Sequence, residues 1–203
     1  LINTKIGNFP FSGKSFEIKM IKRSFEESLI RLNCDCINIL YLHNPRDDVS
    51  NYDELLELMS QLKNDGLIRY LGLSKAKNTN YKFLVNEDSF DFIQDDINLL
   101  SLNPIINNNI NNNTKLIARS PLASGVLSGK INIDSTFTDD DQRSTWLKGE
   151  RLESILKRVE IINNLSNIPL ISLASNFVLN HEYIHNVIFG IKSIKQANDF
   201  LKI

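Results

Sequence analysis

Short apolar runs of strand length alternate with amphipathic stretches along nearly the whole chain, and that alternation limits the fold more than any other feature. Leu1–Gly7, Ile37–His43, Leu67–Ser74, Phe90–Gln94, Lys115–Ala118 and Asn186–Gly190 read as strands, bulky and bounded by turn-forming residues. Between them, Phe16–Leu32 carries Ile18, Ile21, Phe25, Leu29 and Leu32 at helical spacing. Asp53–Leu62 repeats the pattern through Leu55, Leu58, Met59 and Leu62, and Asn64-Asp65-Gly66 supplies a left-handed residue where a C-cap belongs. Asn80–Val85, Glu150–Leu165, Leu170–Leu179 and Ser193–Leu201 are expected to be further helices. Parallel strands need a long crossover, and the helices supply it, so the order predicts a parallel α/β sheet or barrel. About six such units are present, where a closed (β/α)₈ barrel has about eight. No repeat or domain boundary interrupts residues 1–203, which are expected to form one domain.

Composition narrows the function classes. A net charge of -1 gives no broad electrostatic case for nucleic acid or an anionic membrane. No apolar run approaches the ~20 residues that span a bilayer, and no signal peptide opens the sequence. Cys34 and Cys36 lie too close together for a useful staple and have too few neighbouring ligands for a metal, so reduced structural cysteines in a cytoplasm are expected. Asn is abundant, peaking at Asn107–Asn109 and Asn111–Asn113, and that stretch carries no functional reading. The chain begins at Leu1 and directly in a strand, so an N-terminal truncation is expected.

Two motifs mislead. Gly7-Asn8-Phe9-Pro10-Phe11-Ser12-Gly13-Lys14-Ser15 resembles a phosphate loop, but five residues separate its glycines instead of four, and Pro10 removes a donor from the cradle. His181-Glu182-Tyr183-Ile184-His185 satisfies a zinc pattern that works only on a continuing helix with a third ligand. Here a strand-like run follows instead, so no metal is expected.

His43 ends its strand before the Asn44-Pro45 turn. A lone His is often a satisfied core or surface residue, yet a polar side chain at the carboxyl end of a parallel strand points where α/β folds keep their sites. Lys5, at another strand end, forms a reasonable acid–base pair with it or is simply exposed. Gln94 is an interior polar residue or a ligand contact. Ser120-Pro121-Leu122 and Gly125-Val126-Leu127-Ser128-Gly129-Lys130 open a long polar stretch running to Lys148. Ser and Gly beside a strand end let backbone N–H groups approach a pyrophosphate, although a solvated connection fits as well.

Taken in order, Ser28-Leu29-Ile30-Arg31-Leu32, Leu40-Tyr41-Leu42-His43-Asn44-Pro45, Gly66–Ser74, Phe92-Ile93-Gln94, Ile117–Lys130 and Val187–Ser193 resemble the aldo-keto reductases. The resemblance covers nearly all of the chain but begins about a quarter of the way into the family. It implies an incomplete (β/α)₈ TIM barrel and an NADPH-dependent reduction of aldehydes or ketones. By it, Lys5 and His43 are catalytic, the Lys tuning a proton-donating Tyr and the His orienting the carbonyl. Ser74 and Gln94 hold the nicotinamide carboxamide, and Arg119 stacks on the ring where many members have an aromatic residue. Ser120, Pro121, Leu122, Gly125, Leu127, Gly129 and Lys130 hold the phosphates and ribose; Gly190, Lys192 and Gln196 meet the adenosine 2′-phosphate and adenine, favouring NADP(H) over NAD. Lys192 as a solvated residue is the plain alternative. Departures are Lys75 in place of Asn and Phe200 in place of Asn. The Asp and Tyr of the family's tetrad have no counterpart in these residues, so a non-catalytic nucleotide-binding regulatory relative, or an inactive remnant, stands as the alternative function.

Overall fold

A computed structural model describes residues 1–10, 13–45, 49–75, 89–102 and 113–201. Packing divides the chain into two compact units, Leu1–Asp95 with Asn109–Ile117, and Asp96–Asn108 with Ala118–Ile203.

In the first unit, β1 (Asn3–Ile6) leads through a small hairpin, β2 (Asn8–Phe9) and β3 (Gly13–Lys14), into α1 (Ile18–Leu32). Then follow β4 (Ile37–His43), α2 (Tyr52–Asn64), β5 (Ile68–Ser74), β6 (Phe92–Asp96) and the start of β7 (Lys115–Arg119). The sheet runs β1-β4-β5-β6-β7, and β1, β4, β5 and β6 pair in parallel. The parallel α/β class expected from the sequence is present. Register decides which residues share a face. Lys5, Tyr41, Gly72 and Phe92 form one row across the strands, and His43, Ser74 and Gln94 form the next row on that face. On the opposite face Leu40, Leu42, Leu71, Leu73 and Ile93 are buried, with α2 packed on β5. Each such Leu or Ile contributes about 1.5–3 kcal/mol through burial.

The helix ends explain themselves locally. Gly66 is left-handed (φ 73°), the Leu67 N–H donates to the Leu62 carbonyl and the Gly66 N–H to Lys63, which is a Schellman close. Asn33 performs the same turn for α1 at φ 48°. The phosphate-loop look-alike is the β2–β3 hairpin, closed by the Ser15 N–H on the Gly7 carbonyl. Gly7 is required there twice over: its φ is 97°, and a Cβ would sit 2.4 Å from the Phe16 ring.

In the second unit the end of β7 neighbours β8 (Ile184–Ile188). The polar stretch after β7 is more ordered than its composition suggests. It contains a tight helical turn over Ala123–Ser128 and a short helix, α3 (Arg143–Trp146). Val126, Leu127 and Leu147 within it are buried with Leu152 and Val159 of α4 (Gly149–Asn164) and Leu170 and Ala174 of α5 (Leu170–Leu179). A few apolar anchors spaced far apart leave no periodic signal, which is why the sequence reads as a loop. The chain closes with α6 (Ile194–Phe200), begun by Ser193, whose hydroxyl accepts the Gln196 N–H. His181 stands just after α5 and His185 lies within β8, so the two do not share a helical face. The helix expected over Asn80–Val85 and the Asn-rich run 107–112 lie outside the described residues. Among the described residues no helix is long and apolar enough to cross a membrane.

Candidate active site

Parallel strands in register bring polar side chains together on one face, and the first unit does this with Lys5, His43, Ser74 and Gln94, although β6 runs on to Asp96, two residues past the strand end expected at Gln94. The Lys5 ammonium donates to the Ser74 hydroxyl at 2.9 Å. His43 and Ser74 are register partners, as are Ser74 and Gln94. Ser74 is fully buried and Gln94 nearly so, while His43 is half-buried. The edge is tied together by backbone: Asn44, left-handed at φ 52°, donates its N–H to the Ser74 carbonyl at 2.7 Å, and Lys75 donates its own to the Gln94 carbonyl at 2.9 Å. Lys14, on the hairpin, donates to the Asn44 carbonyl at 3.1 Å. The sequence pairs Lys5 with His43, and the structure adds a hydrogen bond from Lys5 to Ser74.

Sequence reasoning missed Tyr41 as part of this edge. Its ring packs with Ile39, Phe92 and Ile117, with the Lys5 ammonium 5.9 Å from its centroid. Burial pushes its phenol pKa up, and the Gln94 amide pulls the other way more weakly. The Tyr41 hydroxyl and Gln94 Oε1 are both buried, and neither has a hydrogen-bond partner among the described residues. An unsatisfied buried polar atom costs about 1–3 kcal/mol, which makes Gln94 Oε1 a candidate acceptor for a ligand.

The charged neighbours were also missed. Lys75 and Asp95 form an ion pair at 3.5 Å whose side chains are 10% and 5% exposed. Lys75 follows Ser74 and Asp95 follows Gln94, so the pair falls one residue past the Ser74–Gln94 row. The departure to Lys at this position thus comes with its own buried carboxylate.

The second unit carries the other predicted residues. Arg119 pairs with Asp96 at 3.5 Å, and the buried Asn98 amide donates to the Ser120 carbonyl at 2.9 Å. Ser120, Ala123, Ser124, Gly125 and Gly129 all have positive φ. Three of these are not glycine, each costing roughly 1–2 kcal/mol, and the N–H groups of Ala123, Gly125 and Leu127 close the turn on the Ser120 and Leu122 carbonyls. Pro121 and Leu127 are buried and Leu122 is half-buried, anchoring the turn from below, while Gly129 and Lys130 are exposed. Arg143 donates to the Ser124 carbonyl at 3.3 Å and forks onto Asp141. That guanidinium holds the Asp141 carboxyl far below the usual carboxylate range, with a smaller contribution from Lys192.

Toward the chain end, the Gln196 side chain accepts the Lys192 N–H at 2.7 Å, so its carbonyl is committed to the start of α6. Lys192 is exposed. Gly190 has no positive φ, and a Cβ there would meet nothing within 4 Å. Neither strain nor crowding within the chain calls for a glycine at that position. Phe200 stacks on Phe189 at 4.4 Å between ring centroids, a packing role.

The sequence model described as the aldo/keto reductase family matches residues 1–203. Among curated relatives, an uncharacterized oxidoreductase (YqkF) of Bacillus subtilis is 24% identical over 88% of this chain and 58% of its own length. L-galactose dehydrogenase of Arabidopsis thaliana is 22% identical over 98% of this chain and 62% of its length. The chain therefore spans about three fifths of the length of these two relatives. Among solved structures, the holo form of the aldo-keto reductase AKR11C1 from Bacillus halodurans matches with a TM-score of 0.76 at 23% identity, covering 99% of this chain and 66% of that one. The glycerol dehydrogenase AKR11B4 of Gluconobacter oxydans matches with a TM-score of 0.72 at 22% identity, covering 98% and 70%. These likenesses establish the fold, and with the match over the whole sequence the chain belongs to the aldo/keto reductase family.

Proposed function

We propose that these residues form the cofactor- and carbonyl-binding part of an NADPH-dependent oxidoreductase that reduces small aldehydes or ketones to alcohols. The carrying observation is the strand-end row: a His at a strand end, a Lys bonded to a buried Ser, and a buried Gln acceptor with no partner among the described residues. A nicotinamide, when bound, supplies the hydride. Everything else falls to the side chains. His43 donates a hydrogen bond to the substrate carbonyl oxygen and so polarises it. Lys5 keeps a positive charge beside the oxygen where negative charge develops. Ser74 and Gln94 hold the carboxamide by its two hydrogen-bonding ends.

In the second unit, the left-handed turn from Ser120 to Lys130 offers N–H groups to phosphate, with Arg119 beside them. Gly190 leaves backbone open, Lys192 faces the 2′-phosphate and Gln196 the adenine, which favours NADPH over NADH. The unbroken family match supports reading 1–203 as one domain, and the free Cys34 and Cys36 support a cytoplasmic setting. The proton-donating Tyr implied by the family pattern has no counterpart in these residues, so turnover by them alone is expected to be slow.

The test is a titration with NADPH, and with NADH alongside, followed by the emission of Trp146. Saturable quenching with NADPH the tighter ligand supports the reading. A chain that unfolds cooperatively yet binds neither overturns it and favours a regulatory relative.

A further inference from the structure

This inference rests on reading Ser74 and Gln94 as the nicotinamide end of the cofactor site. β5 and β6 pair Gly72 with Phe92, Leu73 with Ile93 and Ser74 with Gln94. Ser74 and Gln94 therefore stand on the last rung, where a ladder opens most easily. One residue further on, the Lys75 N–H donates to the Gln94 carbonyl at 2.9 Å, and the Lys75 ammonium lies 3.5 Å from the Asp95 carboxylate. Their side chains are only 10% and 5% exposed. Successive residues of a strand face opposite sides, so Asp95 falls on the face of the buried Leu73 and Ile93, away from the face that carries Gln94. The pair thus ties the two strand ends from the side opposite Ser74 and Gln94.

A buried ion pair adds little stability, because taking both charges out of water offsets their attraction, and well-packed apolar residues serve as well. What it adds is a defined partner for each strand end. The row in front of it needs that definition. Ser74 accepts from Lys5 at 2.9 Å, which leaves its own O–H to donate, and Gln94 Oε1 is a buried acceptor with no partner among the described residues. A carboxamide presents one acceptor and one donor at a fixed separation, so both contacts form only when Ser74 and Gln94 are correctly spaced. We propose that Lys75 and Asp95 are positioning residues: their ion pair holds the ends of β5 and β6 together and so sets the spacing of Ser74 and Gln94 for the nicotinamide carboxamide. Neither touches the reacting atoms.

Lys75→Met combined with Asp95→Leu replaces the ion pair by apolar groups and leaves neither charge buried alone. The double variant is expected to unfold near the parent's urea midpoint, while its NADPH Kd rises about tenfold, as the loss of one hydrogen bond predicts. Binding of 2′,5′-ADP, which has no nicotinamide, stays at the parent's value. Unchanged NADPH affinity overturns the proposal, as does an equal loss for both ligands, which would mark a general structural defect. If the parent binds neither ligand, the cofactor reading fails and this proposal with it; if it binds both and the double variant behaves identically, only this proposal fails. A second readout needs no cofactor. In the double variant the amide of residue 75, bonded to the Gln94 carbonyl, is expected to exchange with solvent about tenfold faster. The Asp91 amide, bonded to the Leu71 carbonyl at the far end of the same pairing, keeps its rate. An unchanged rate at residue 75, or a matched rise at both amides, overturns the proposal.

Discussion

The strand-end row and the turn from Ser120 to Gly129 reach order by opposite routes. The row is built on paired strands, so its side chains inherit position from the register, and its backbone is relaxed apart from Asn44. The turn has no ladder of its own. It is pinned by buried Val126 and Leu127 below and by Arg143 from the side, and it holds several residues in left-handed conformations. Strained backbone survives only where surrounding packing over-determines it, and it commonly marks a ligand-binding segment. The row is therefore expected to fail when its packing or charge pairing is broken. The turn is expected to gain stability when its strain is relieved, at the expense of its shape.

Breaking the row has the largest expected effect. Asp95→Ala removes the carboxylate paired with the buried Lys75 ammonium and is expected to cost up to about 3–5 kcal/mol, read as a lower urea midpoint. Replacing both residues by Met and Leu should restore most of the loss, since the pair is expected to define position more than stability. Next comes Gly72→Ala, whose Cβ would meet the Tyr41 ring at 2.3 Å. Overpacking of this kind costs about 1–3 kcal/mol, and thermal unfolding measures it. A variant as stable as the parent would show that the Tyr41 ring moves freely.

For the turn the sign reverses. Ala123, at φ 47°, makes no side-chain hydrogen bond, so Ala123→Gly should raise stability by up to about 1 kcal/mol while loosening the turn. A fall in stability would mean that its methyl packing outweighs the backbone strain.

The smallest effect is in acid. Asp141 has a folded pKa below its unfolded value because of Arg143. Its pairing therefore stabilises the folded chain above the ordinary carboxylate pKa of ~3.9, and the contribution is lost as pH falls through the folded value. Asp141→Asn should lower the melting temperature at neutral pH, with the gap to the parent closing progressively in acid. A gap constant from neutral to strongly acid pH would contradict the pairing.

The same contrast explains what the sequence made legible. Strand and helix periods, the Gly66 cap and the strand-end positions of His43 and Ser74 are written in local pattern. Register is not, because it depends on which strands lie side by side. The Lys5–Ser74 bond, the Tyr41 ring over Gly72 and the Lys75–Asp95 pair were therefore out of reach. The turn's Ser and Gly content and its resemblance hinted at a role, but its shape was not legible: its left-handed residues include Ser and Ala, which carry no conformational signature of their own.

The most direct measurement follows backbone amide signals by NMR during titration, first with 2′,5′-ADP and then with NADPH. The account predicts that 2′,5′-ADP shifts amides in 119–130 and 190–196, and that NADPH adds shifts at His43, Ser74 and Gln94. NADPH shifts that leave the strand-end row unmoved, or that map to other residues, would contradict it.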